Sequence, residues 1–256
     1  MIVKHDISQL WLHIPEEIPQ KLDRILDAAP ESKVFFRADD VAAPGKNMSR
    51  MLEVFRTNSM PLCMAVVPAW LHEMRWQELR TAAGNSNLWC WHQHGWRHQN
   101  HQTRGKKGEF GDERTSAVKK KDLARGREKL ESIMGDAFEP FFTPPWNRFD
   151  ADTGKALKQL GYTAVSRSAG ELKKVPLPEG LADLFINVDL HTRNEPTPKE
   201  GWDALFNELE AALATGRCGL MLHHQRANDA AFAFLDLFMK KMAGHKHLQP
   251  VTFRDL

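Results

Sequence analysis

Residues 91–101 read WHQHGWRHQNH and hold four of the chain's twelve histidines. Imidazole is a metal ligand and a proton carrier at neutral pH. His94 and His98 stand four apart, the spacing that would put both rings on one face of a helical turn and within reach of one ion. His98 and His101, three apart, are the weaker pair. A catalytic zinc-type centre takes three protein ligands and keeps a position for water, so one carboxylate would complete the set. Asp39 and Asp40, side by side, suit a divided role in which one binds the ion and the other activates its water. A further histidine could donate the proton a leaving group needs, and His223 and His224 are available. Taken singly, an Asp-Asp pair is more often a turn or a helix cap. The chemistry therefore rests on whether the chain brings these residues together.

The surrounding pattern says that it does. Short apolar, β-rich runs at 33–42, 61–68, 87–95, 138–146, 163–168, 181–191 and 218–225 alternate with helical periodicity at 47–58, 70–83, 115–134, 150–161, 202–216 and 229–243, and 249–256 is a candidate last strand. Alternation of this kind implies a parallel sheet covered by helices. No linker interrupts the series, and the place after the first strand holds ADDVAAPGKN rather than a glycine-rich phosphate loop. The expectation is an α/β fold, one domain over 1–256, built as a distorted (β/α)7-type barrel. Asp39-Asp40, the histidine run, Asn147 with its TPPW neighbours, Asp189 with His191, and His223-His224 all fall at strand ends. In a parallel barrel those ends share one face, where catalytic groups collect.

Composition narrows the class. The 256 residues carry a net charge of +2, with 42% hydrophobic and 27% charged side chains, which excludes no globular fold and points to no nucleic-acid or membrane partner. A chain of this length buries a core without metal staples, so a metal here would serve chemistry. Basic residues cluster at 104–129 but acidic ones interrupt them, the mark of a solvated surface. Cys63, Cys90 and Cys218 each sit in an apolar run and read as reduced, buried residues. The start of the chain lacks the long apolar core and cleavage site of a signal peptide, and no run is long enough to span a bilayer. The expectation is a cytoplasmic protein, its oligomeric state open.

With these residues in place, the chain resembles the polysaccharide deacetylases of carbohydrate esterase family 4, the NodB-homology domain. RADDVA resembles the family's first motif and implies Asp39 as base and Asp40 as metal ligand. HGWRH has the spacing of the second motif and implies His94 and His98 as ligands. FTPPWN resembles the third, groove-lining motif in Pro145 and Trp146, and LMLHH matches the last, implying His223 as acid with His224 as the fallback. The resemblance runs from about 33 to 225 in the family's order. There are departures: Gly95 stands where Ser or Thr is usual, Val41 replaces a glycine, no third-motif arginine is evident beside Thr143, and Asp189 only loosely suggests the fourth motif.

The resemblance implies one divalent ion, zinc by expectation, with cobalt or iron open, and an N-acetylated carbohydrate as substrate. Asp189 or His191 would orient His223, Trp96 and Trp146 would stack on a sugar face or else be buried core residues, and His101 belongs with the substrate-binding or supporting residues. Two rivals stand beside this reading: a carbohydrate-binding barrel that has lost turnover, and an amidase for a non-sugar amide.

Overall fold

The structure, a computed structural model, describes residues 7–171 and 174–256; the first six residues of the stretch read above against a signal peptide lie outside them. Nine strands form a single sheet: β1 (Ser32–Val41), β2 (Leu62–Val66), β3 (Trp89–His94), β4 (Phe138–Thr143), β5 (Ala164–Val165), β6 (Ala182–Asp183), β7 (Val188–Asp189), β8 (Arg217–Leu222) and β9 (Leu248–Pro250). The order is β6-β5-β4-β3-β2-β1-β8-β7, with β9 beside the start of β1, and every pairing is parallel. The helices are α1 (Ile18–Ala28), α2 (Lys46–Thr57), α3 (Glu73–Ala83), α4 (Ser116–Met134), α5 (Ala151–Gln159), α6 (Pro198–Ala214) and α7 (Asp229–Met242).

One segment closes the curve. Residues 182–190, expected as one strand, pair first with β5 and then with β8. Leu184 and Ile186 donate N–H bonds to Val165 and Arg167, both at 2.8 Å, and Asn187 and Leu190 donate to Gly219 and Met221, at 3.0 and 3.1 Å. With 182–190 counted once and the short β9 set aside, seven strands ring the barrel, as the sequence pattern predicts.

Strand alternation divides the core. On β1, Val34, Phe36 and Ala38 face outward into the helix layer with Met51, Phe55, Leu235 and Phe238. Phe35 faces inward and joins Cys63, Cys90, Phe141, Ile186, Met221 and Phe253 in a second, interior cluster. Gly219 makes room for it, since a Cβ there would lie 2.4 Å from Phe35 Cζ. The phenyl ring of Phe253 enters from the far end, 5.4 Å from Phe35, 5.7 Å from Phe141 and 5.0 Å from His92. All three cysteines are free and buried, and no described helix is long and apolar enough to cross a membrane.

Helix boundaries follow their caps. Asp150 accepts the Thr153 N–H at 2.9 Å to start α5, and Gly161 lies just beyond its end at φ +78°. Helix α6 starts at Pro198 rather than at 202, because Thr197 caps it and proline is suited to a first turn. Helix α3 starts at Glu73 rather than at 70, since Ala69 is held by the Trp96 carbonyl and His72 provides the cap.

Candidate active site

The inward face of the barrel changes character along its axis. On β1 the inward residues run Phe35, Arg37, Asp39; on β3 they run Cys90, His92, His94; on β8 they run Gly219, Met221, His223. Apolar floor gives way to buried polar residues and then to a cavity of about 730 Å³ at the carboxyl ends of the strands. Asp39, Asp40, His94, His98, Trp146, Asn147, Asp189, Met221 and His223 all line it.

Straight strands send adjacent side chains to opposite faces, yet Asp39 and Asp40 share this cavity. A bulge explains it. The β1–β2 register slips between Ala38 and Val41, and Asp40 takes φ +60°. The extra residue turns Asp40 over the barrel mouth while Asp39 continues the inward row. Of the five described non-glycine residues at positive φ, four (Asp40, His98, Trp146 and Asn147) line this one cavity. Such backbone costs free energy and collects at functional sites.

Asp39 is fully buried and clamped by Arg37, whose Nε and Nη2 donate to its two oxygens, each at 2.8 Å. Arg37 is itself held by Ser166 Oγ at 2.9 Å and Asn147 Oδ1 at 2.7 Å. Burial pushes the Asp39 carboxyl up, but the charges of Arg37, His94 and His223 outweigh it and hold it below its ordinary value. The Asp39 carboxylate is therefore ionised at neutral pH.

Asp40, His94 and His98 bring one ligand atom each to within 4.8 Å of one another. His94 Nε2 lies 3.4 Å and His98 Nε2 3.2 Å from Asp40 Oδ1. His94 Nδ1 donates to the Thr143 carbonyl at 2.9 Å, which leaves Nε2 as the ring nitrogen facing Asp40. Burial, then the charge of His94, drives His98 down to about 4, so its ring is neutral. Burial opposes a charge on His94 as well, but the neighbouring carboxylates of Asp40 and Asp39 outweigh it and hold His94 above its ordinary value. Asp40 Oδ1 is buried without a hydrogen-bond partner. A buried carboxylate oxygen facing two imidazole nitrogens is a place where a cation would be well received. The donor set of one carboxylate and two histidines fits a divalent ion with open positions.

The His94–His98 spacing works, but not through a helical turn. His94 ends β3, and the chain turns through Gly95 at φ +59° and His98 at φ +55°. The buried carboxylate of Glu109 accepts the N–H groups of Trp96, Arg97 and His98 at 3.1, 2.7 and 3.2 Å. Gly95 is forced here: a Cβ would lie 2.2 Å from Glu109 Oε2 and 2.5 Å from Pro145 Cγ.

Other expected members take different places. His223 reaches the cavity, but neither Asp189 nor His191 touches its ring. Asp189 accepts the N–H groups of His191 and Thr192 at 3.0 and 2.9 Å, so its carboxylate is spent on its own turn. His191, which burial first of all drives down to about 3, accepts the backbone N–H of His223 at 2.9 Å and so positions the strand end. His224 turns away into a buried position outside the cavity. Trp146 lines the cavity with its ring 4.4 Å from that of His98. Trp96 does not; Arg125 and Arg97 lie over its ring at 5.7 and 6.0 Å. His101 also lies outside, with Arg114, Asp122 and Arg97 as its charged neighbours. Arg37 and Glu109 are the residues that the sequence reading passed over.

A sequence model of a family described as polysaccharide deacetylase matches residues 27–165. No curated protein matches the chain. Among solved structures, the fold is similar to a Mycobacterium smegmatis protein described as a polysaccharide deacetylase, with 17% identity, TM-score 0.64 and 89% of each chain covered. It is also similar to a family 4 carbohydrate esterase from Streptomyces lividans in complex with acetate, at 13% identity and TM-score 0.50, covering 88% of this chain and 93% of that one. A family 4 pseudoenzyme from Bacillus anthracis matches at 12% identity and TM-score 0.53, covering 86% of this chain and 63% of that one.

Proposed function

The chain belongs to the polysaccharide deacetylase family, and from that premise we propose that it hydrolyses the acetamide of an N-acetylated sugar, releasing acetate and an amine. One observation carries this reading: an arginine-clamped carboxylate, a carboxylate–histidine–histidine cluster and a further histidine line one open cavity. Asp40, His94 and His98 would hold the ion, which when bound supplies Lewis-acid polarisation and lowers the pKa of water. Asp39, ionised and fixed by Arg37, takes the proton from the attacking water as its oxygen bonds to the acetyl carbon. The Trp146 N–H has no acceptor among the described residues and sits on the loop over the cavity, so it is our choice for the donor that stabilises the oxyanion. The carbon–nitrogen bond then breaks as His223 gives its proton to the departing amine.

The clamp of Arg37 on Asp39 favours turnover over the sugar-binding rival, since a site kept only for binding has no use for an ionised, desolvated carboxylate. We further propose that the substrate is a precursor sugar or short glycan met in a reducing compartment. The cavity volume of about 730 Å³ and the three free cysteines support this. The test is release of acetate from N-acetylated sugars by purified protein, before and after chelation and after zinc is restored. Release that chelation abolishes and zinc restores would support the reading; none under any metal would overturn it in favour of the binding rival.

A further inference from the structure

Glu109 sits in the stretch between β3 and α4, far from any recognisable motif, yet it is fully buried. Its two oxygens accept three consecutive N–H groups, from Trp96, Arg97 and His98. It accepts these three bonds, and its carboxylate oxygens donate none. Its own backbone is anchored, because the Arg114 guanidinium donates to the Glu109 carbonyl at 3.2 Å and pairs with Asp122. A second buried side chain grips the same turn: Gln93 Nε2 donates to the Gly95 carbonyl at 2.9 Å, and its Oε1 accepts the Tyr162 hydroxyl. The turn of 95–98 is thus held at both ends, and it carries His98 at φ +55°. Within residues 94–98 only Gly95, at φ +59°, favours that shape; His98 at φ +55° does not. With a glycine at 95 and no capping hydroxyl, the isolated segment would spend little time with both imidazoles converging.

We propose that Glu109 is a positioning residue for the metal centre: a buried carboxyl group that folds the 95–98 turn around itself and so presents His98 to the ion shared with Asp40 and His94. Gly95 is the complementary half of the device, since any side chain there would displace the carboxylate. The inference rests on the metal reading of Asp40, His94 and His98. Groups that orient ligands from behind are worth about 10–100-fold in metal affinity.

The experiment measures zinc affinity of the whole chain by competition with a chromophoric chelator, alongside thermal unfolding of the metal-free proteins. Glu109→Gln should bind zinc about 10–100-fold more weakly while its metal-free unfolding midpoint stays within a few degrees of the unaltered chain's. In a His98→Ala background the same change should have almost no further effect, because the residue it acts through is gone. Equal zinc affinity in Glu109→Gln and the unaltered chain would overturn the proposal. So would an equal penalty in both backgrounds, or collapse of the metal-free Glu109→Gln protein, each of which makes the role a general structural one. Failure of the unaltered chain to bind zinc would overturn the metal reading itself, a result distinguishable from the others.

Discussion

Arg37 grips both carboxylate oxygens of Asp39 from two residues earlier on the same strand, at 2.8 Å on each arm. Two residues is one full period of a strand, so both side chains necessarily share the inner face of the barrel. The family's usual arginine, expected beside Thr143, is not needed there. Thr143 is committed to two histidines instead: its hydroxyl meets His92 Nε2 at 2.8 Å and its carbonyl accepts from His94 Nδ1. The clamp reaches the base from the strand that carries it.

Arg37→Met should therefore damage both stability and the pH profile. It leaves a buried carboxylate without its partner, a loss of about 3–5 kcal/mol readable by chemical denaturation at neutral pH. Asp39 is held below its ordinary 3.8 in the folded chain. That depression contributes stability above pH 3.8 and is lost as pH falls through the folded value. Without Arg37 the carboxyl protonates at higher pH, so the acid limb of kcat/KM should move upward. An unmoved limb would mean that Asp39 is not the base.

Ligand and proton-transfer residues should separate cleanly. Asp40→Ala and His94→Ala should purify folded but without stoichiometric metal, as elemental analysis would show. Asp39→Asn and His223→Gln should keep the metal and lose about a hundredfold or more in kcat. Full metal occupancy in the first pair, or near-normal turnover in the second, contradicts the assignment.

Gly95→Ser, which restores the residue usual in the family, should harm this chain. The new Cβ would meet Glu109 and Pro145 at φ +59°, at a cost of about 1–3 kcal/mol for the backbone alone. A lowered midpoint together with weaker zinc binding is the expected result. A stable, fully metallated Gly95→Ser protein would show that the turn has another low-energy shape.

Substrate length can be settled by competition. Acetate released from N-acetylated monosaccharide conjugates should exceed that from chitin or peptidoglycan chains at equal acetyl concentration. Preference for the polymers would reverse the proposed substrate class.

The barrel was legible because its strands are apolar runs spaced by amphipathic helices, and the convergence of Asp39, Asp40, His94, His98 and His223 follows from strand ends sharing one face. The local devices were not. Adjacent aspartates can share a cavity only through a bulge, and nothing in ADDVA marks one. The His94–His98 spacing suggests a helical turn, whereas the turn is built by a carboxylate eleven residues past His98. Arg37 was hidden by its neighbours, since an arginine inside KVFFRADD reads as a strand-end charge until alternation is applied to it. Trp96 and His101 lie in the histidine-rich run by sequence alone; the turn carries them out of the cavity, to Arg125 and Arg114.

Phe253, wedged among Phe35, Phe141 and His92 below the polar layer, plugs the barrel at the end away from the cavity. Below the polar layer the barrel is filled by this buried apolar cluster. In the proposed reaction, substrate, water and both products would share the cavity lined by Asp39, Asp40 and His223. Acetate and amine would leave by that shared route, and inhibition by added acetate would report which of the two goes first.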